Sequence, residues 1–156
     1  MKASRPGSSA LRKGRASIPG QIYHVTARAK LGSRIFANPA AAFSASAAFH
    51  KIETATDARL LAWVLMPDHA HWLIELGERD DLSRLVARLK SASAGSCNDV
   101  LAAATRTSVW QAGFHDRAIR RDEDLLAVAR YVVANPLRAG LVERLGDYPW
   151  WNSVWL

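Results

Sequence analysis

His69-Ala70-His71 is the sharpest chemical feature of the chain. On an extended strand, residues two apart project to one side, so both imidazoles could reach a single cation. Two imidazoles are only a partial ligand set, because a metal needs a third or fourth group. Two ordinary strand histidines are the alternative. A second constellation lies downstream, where Ala127, Tyr131 and Asn135 are spaced four apart and share one helix face. Taken singly, Tyr131 reads as a packed aromatic and Asn135, just before Pro136, as a helix C-cap.

The elements that must carry these residues can be read from the pattern. Gln21–Lys30 holds β-formers, with Ile22, His24 and Thr26 on one face, and predicts strand one. Pro39 suits a first helical turn, and Phe43, Ala47, Phe49, Ile52 and Glu53 follow at helical spacing. Leu60–Met66 is a short apolar run read as a buried strand. Pro67-Asp68 marks a turn, and His69–Leu76 alternates, with His69, His71, Leu73 and Glu75 on one face. Helix two begins at Asp81, with Leu82, Leu85, Val86 and Leu89 as its stripe. Gly95 should interrupt it, and a second helical piece is expected over 98–104. Val109–Ile119 reads as strand four, bent at Gly113. Helix three opens at Asp122-Glu123-Asp124 and runs to Asn135, stopping at Pro136. The aromatic tail should pack on the domain. The order β–α–β–β–α–β predicts an α+β fold. It is a ferredoxin-like antiparallel sheet with helices on one face and an added C-terminal helix, which leaves the other face open or partly covered by that helix.

Length and charge narrow the function. The 156 residues make one domain (20–156) behind a flexible basic arm (1–19). Residues 1–35 carry eight bases and no acid, whereas 36–156 carry 13 bases and 14 acids. A basic block beside a neutral domain suggests a polyanion such as nucleic acid. Compositional bias is the alternative, with 28 Ala and 16 Arg against 5 Lys. A lone cysteine, Cys97, excludes a disulfide scaffold and a Cys-rich zinc site. No apolar run approaches the roughly 18 residues of a membrane span, and the N-terminus lacks the apolar core of a secretory signal. A cytoplasmic protein, nucleoid-associated through DNA, is the expectation.

The segments MPDHAHWLIEL, VWQAGFHDRAIR and RYVVANPLRAGLVERLGDYPWW, in that order and spacing, resemble the REP-associated tyrosine transposases. These belong to the HUH single-strand endonucleases, alongside small single-tyrosine insertion-sequence transposases. The resemblance runs from about Pro19 to Trp151. It implies that His69 and His71 are the paired metal ligands, Tyr131 the nucleophile and Asn135 a third, polar ligand. Ala70 is a small version of the family's middle hydrophobic residue, the third ligand varies among relatives, and the arm is not covered. The implied reaction is attack by Tyr131 on single-stranded DNA beside a REP-like hairpin, leaving a 5′-phosphotyrosine and a free 3′-hydroxyl. A second 3′-hydroxyl can then rejoin the strand without ATP.

Family usage implies Mg²⁺ or Mn²⁺, although two imidazoles and a carboxamide suit transition metals, zinc included, better than magnesium. Arg5, Arg12, Lys13, Arg15, Arg28 and Arg34 could clamp phosphates, with Arg117, Arg120 and Arg121 behind them, or could be solvated surface charge. Trp150, Trp151 and Trp155 could stack on bases or plug the core. Glu75 could reach the metal from the histidine face, Tyr23 and Tyr148 are the rival nucleophiles, and His24, His50 and His115 have no evident partner. A monomer is favoured over a homodimer. The rival readings are a replication- or relaxase-type HUH nickase, a domesticated hairpin-binding module without catalysis, and a metallohydrolase, which lacks the expected extra acids.

Overall fold

The computed structural model describes residues 17–101 and 107–156. Arg5, Arg12, Lys13 and Arg15, and the end of the piece expected over 98–104, lie outside these residues. The elements run β1 (Ile22–Arg28), α1 (Pro39–Ala55), β2 (Arg59–Met66), β3 (His69–Glu75), α2 (Leu82–Leu101), β4 (His115–Ala118), α3 (Leu125–Val133), a single turn α4 (Asn135–Arg138) and β5 (Trp151–Ser153). The sheet order is β4-β1-β3-β2-β5, and every pairing is antiparallel. With β1 and β3 central, this is the predicted ferredoxin-like α+β arrangement, extended past β2 by one strand.

Alternation along the strands divides the residues between two faces. On one face Val25, Trp72, Ile74 and Leu65 join Phe49 of α1 and Leu85 and Leu89 of α2 in the main core. Phe49 stands edge-on to both Trp63 and Trp72, with ring centroids 5.4 and 5.2 Å apart. The other face carries His24, Thr26, His69, His71 and Leu73, and α3 lies across part of it. Ala129 and Val133 of α3 pack with Leu61, Ala62 and Leu73, and Val132 packs on Val64 and Met66.

Four boundaries differ from the sequence expectation. Gly95 does not interrupt α2, which is continuous to Leu101. The buried stripe continues on both sides of the glycine through Ser93 and Cys97, and this packing outweighs the roughly 1 kcal/mol propensity cost of a helical glycine. Strand four shrinks to His115–Ala118. Trp110 makes only an isolated bridge to Ala29, and Gly113, at φ 77°, turns the chain between them. Helix three starts at Leu125 with Asp124 as its N-cap, the carboxylate accepting from Ala127 N–H at 3.2 Å. It ends at Val133, two residues earlier than predicted, and Asn135 opens the separate turn α4 with Pro136 in its first positions. The tail does more than pack, because Trp151–Ser153 pairs with β2 as a fifth strand. Three residues without alternation carry too little pattern to announce a strand.

Candidate active site

The β2–β3 hairpin is tied at Pro67-Asp68 and sets His69 and His71 on the face that α3 shares. On their β1 side, Arg28 stands opposite His69 and Thr26 opposite His71. On their β2 side stand Met66 and Val64, which contact Val132 of α3. The two imidazoles lie 5.0 Å apart, centroid to centroid, with planes at 84°.

Both rings are held through Nδ1. His69 Nδ1 lies 2.7 Å from Asp68 Oδ1. His71 Nδ1 lies 3.0 Å from His24 Nε2 and 3.0 Å from Thr26 Oγ1. This is the arrangement of metal-binding histidines, in which a partner on one nitrogen fixes the tautomer and presents the other. With the proton on Nδ1, each Nε2 offers a lone pair. The hydrogen bond to His69 holds the Asp68 carboxyl below the ordinary carboxylate range. Burial, followed by the charges of His24, His69, Arg138 and Arg28, pushes His71 down to about 3, so that ring is neutral at pH 7. Burial and Arg117 lower His24 as well.

Tyr131 is 61% exposed on α3, the helix that lies across part of the histidine face. The Arg138 guanidinium lies 3.8 Å above its ring centroid. Arg138 therefore neighbours Tyr131 directly, and its charge is felt at His71. Asn135 Nδ2 donates to the Val132 carbonyl at 2.7 Å, which leaves Oδ1 as a donor atom for a cation. Among the described residues no hydrogen bond joins Asn135 to either imidazole, and no cluster of three His, Cys, Asp or Glu side chains could hold a metal. By donor chemistry, two imidazoles whose Nε2 atoms make no hydrogen bond among the described residues, with one amide oxygen, would suit a divalent cation whose remaining positions go to water or phosphate oxygens.

The rival assignments fall elsewhere. Tyr23 is buried on the opposite sheet face, in the main core. Tyr148 donates its hydroxyl to the Leu65 carbonyl, and burial pushes its phenol up to about 12. Glu75 ends β3 and pairs with Arg59 at 3.6 Å. Four residues beyond His71, it stands about 13 Å away at strand spacing, so the expectation that it reaches the metal is overturned. Trp150 packs edge-on to Phe43, and Trp151 donates to the Leu145 carbonyl at 3.3 Å. Both are packed side chains; Trp155 is 41% exposed.

Among the basic residues, Arg28 and Arg34 are exposed beside the histidine end of the sheet, and Arg34 acts on Asp68. Arg117 is engaged by Glu123 at 2.8 Å. Arg120 and Arg121 border a cleft of about 410 Å³ that Ile18, Gln21 and Ile119 also line. Sequence reasoning missed Asp68, His24 and Thr26 as partners of the imidazoles, and Arg138 as the neighbour of Tyr131. His24 and Thr26 do share a predicted strand face, but the register that sets them against His71 is visible only once β1 pairs with β3.

The chain is 30% identical over 90 residues to an Escherichia coli K12 REP-associated tyrosine transposase, which is 56% of this chain and 50% of that one. A Haemophilus influenzae protein provisionally assigned to the same group is 31% identical over 98 residues, 58% of this chain and 56% of that one. The chain thus spans about half the length of the curated relatives it matches. A solved REP-associated tyrosine transposase bound to a REP hairpin superposes with a TM-score of 0.66 at 23% identity, over 97% of this chain and 82% of that one. That likeness is one of fold. The sequence model of the family described as Transposase IS200 like matches residues 17–135, a span that takes in β1, the His69-Ala70-His71 hairpin, Tyr131 and Asn135. The chain belongs to the IS200-like transposase family.

Proposed function

We propose that this protein is a metal-dependent tyrosine endonuclease and transposase that cleaves and rejoins single-stranded DNA beside REP-like hairpins. The observation that carries the reading is one shared face. The exposed phenol of Tyr131 stands on the helix that packs on the same sheet face as the two imidazoles, whose Nδ1 atoms are tied and whose Nε2 atoms make no hydrogen bond among the described residues.

In this reading His69, His71 and Asn135 hold a Mg²⁺ or Mn²⁺ ion. When bound, such a cation polarises a phosphate oxygen and eases charge on the phosphate. The chain's own groups do the rest. The α3 packing presents Tyr131 to the phosphorus. Its phenol oxygen bonds to phosphorus and releases its proton to solvent, while the P–O3′ bond breaks and the 3′ oxygen takes up a proton. The product is a 5′-phosphotyrosyl enzyme and a free 3′-hydroxyl. The reverse attack, by a second 3′-hydroxyl, restores Tyr131 and a diester with no energy input.

The partner is a DNA hairpin with an adjoining single strand. The basic N-terminal segment and the exposed Arg28 and Arg34 support this, as does the hairpin named with the solved relative. The protein would act as a monomer at the nucleoid.

The test is incubation with a REP-like hairpin oligonucleotide and Mn²⁺ or Mg²⁺, followed by a denaturing gel. A covalent DNA adduct that disappears in Tyr131→Phe is expected, with Mn²⁺ at least as effective as Mg²⁺. Binding without an adduct under any divalent metal would point instead to a non-catalytic hairpin-binding module. An unchanged adduct in Tyr131→Phe would show another nucleophile.

A further inference from the structure

We propose that Arg138 is a further catalytic residue, which holds a non-bridging oxygen of the scissile phosphate beside the Tyr131 phenol. The inference rests on the reading of the site given above and extends it to a residue outside the metal-ligand and nucleophile set.

Placement supports this first. Arg138 closes the turn α4, which is anchored by the buried Pro136 and by its own N–H, donated to the Ala134 carbonyl at 3.1 Å. That turn aims the guanidinium back over the Tyr131 ring, 3.8 Å from its centroid. Val132, the residue after Tyr131, packs on Val64 and Met66, which stand beside His71 and His69 on β2. The guanidinium thus sits directly against the proposed nucleophile, on the element that follows its helix.

Charge supports it independently. Arg59, Arg84, Arg88, Arg117 and Arg144 each have a carboxylate within 4.0 Å. Among the described residues Arg138 is one of several arginines with none, and Arg28, opposite His69 on the neighbouring strand, is another. Two exposed guanidinium groups without a carboxylate partner thus stand at the site, one over Tyr131 and one opposite His69. That field favours an anion, and a phosphodiester is the anion the reaction brings. The planar fork of Arg can grip two phosphate oxygens or bridge one of them to a neighbouring group. Contact with the exposed Tyr131 ring alone is a weak interaction, whereas a donor fixed beside developing phosphate charge gains strength in the transition state. When the substrate enters, the guanidinium turns from the ring to the phosphate.

The experiment follows single-turnover adduct formation by the full chain and by Arg138→Ala and Arg138→Lys. The substrates are a REP-like hairpin with a plain phosphodiester at the cleaved linkage and the two phosphorothioate diastereomers at that position. Arg138→Ala should slow adduct formation on the diester about 100-fold or more, and Arg138→Lys should recover part of the loss. On one diastereomer, where sulfur replaces the oxygen that Arg138 holds, the penalty of Arg138→Ala should shrink severalfold. A merely structural role would penalise all three substrates equally, so a uniform penalty, or none, would overturn the assignment while leaving Tyr131 in place. Failure of the unaltered protein to form any adduct would overturn the underlying reading of the site, and this inference with it.

Discussion

His71 joins stability to chemistry at the scale of one side chain. In the fold, burial and then neighbouring positive charge disfavour the imidazolium and push it down to about 3. An unfolded imidazole takes its proton near about 6.5. The unfolded state therefore binds more protons over this interval, and stability falls as pH drops from about 6.5 toward 3. His24, also lowered, adds a contribution of the same sign. Denaturant midpoints of metal-free protein should fall between pH 7.5 and pH 5.5, and His71→Gln should flatten that dependence; an unchanged slope in the variant would contradict the burial argument. Asp68 tests the orienting role. Its carboxylate holds His69 Nδ1 at 2.7 Å, so Asp68→Asn should weaken Mn²⁺ binding by about 10- to 100-fold, as read by calorimetric titration. The imidazole pair was legible in the sequence because strand geometry puts alternate residues on one side. Its partners were not, because Asp68 looked like turn chemistry and His24 needed a cross-strand neighbour that only the register supplies.

Element by element, α3 decides whether the phenol meets the imidazoles. The helix approaches the sheet closely because small residues face each other, Ala129 on α3 and Ala62 on β2, both fully buried. Enlarging one of them must lift the helix. Ala129→Leu should cost about 1–3 kcal/mol of stability and should slow adduct formation more than it weakens hairpin binding. Equal loss of both, or neither, would mean that the seating of α3 does not matter. The Asp124 cap should contribute about 1 kcal/mol, read as a lower denaturation midpoint in Asp124→Ala. The sequence showed this helix and its apolar stripe but misplaced its end. A proline normally stops a helix at the residue before it, whereas here the chain breaks at Ala134 and Pro136 starts a fresh turn. That shift moves Asn135 onto a separate turn, whose last residue, Arg138, folds back over Tyr131. Gly95 is the opposite case, in which local propensity argued for a break and burial on both sides kept the helix whole.

The whole molecule combines a neutral α+β domain with a strongly basic leading segment. The order of elements was readable because the β–α–β–β–α–β succession admits few antiparallel solutions. The fifth strand was not, since it depends on an edge of β2 that the sequence does not advertise. Lys2, Arg5, Arg12, Lys13 and Arg15 all precede residue 17. If they neutralise phosphates, removing residues 2–16 should weaken hairpin binding and make it less salt-dependent. The log–log salt slope should fall by about 0.7–0.9 for each phosphate left without its cation, whereas an unchanged slope would mean that the arm only solvates. At this scale everything turns on the identity of the nucleophile. Digestion of the covalent DNA adduct and mass spectrometry of the modified peptide should find the phosphodiester-linked nucleotide on Tyr131, within the segment carrying Asn135 and Arg138. A nucleotide on Tyr23 or Tyr148, or an adduct on any residue other than Tyr131, would contradict the account.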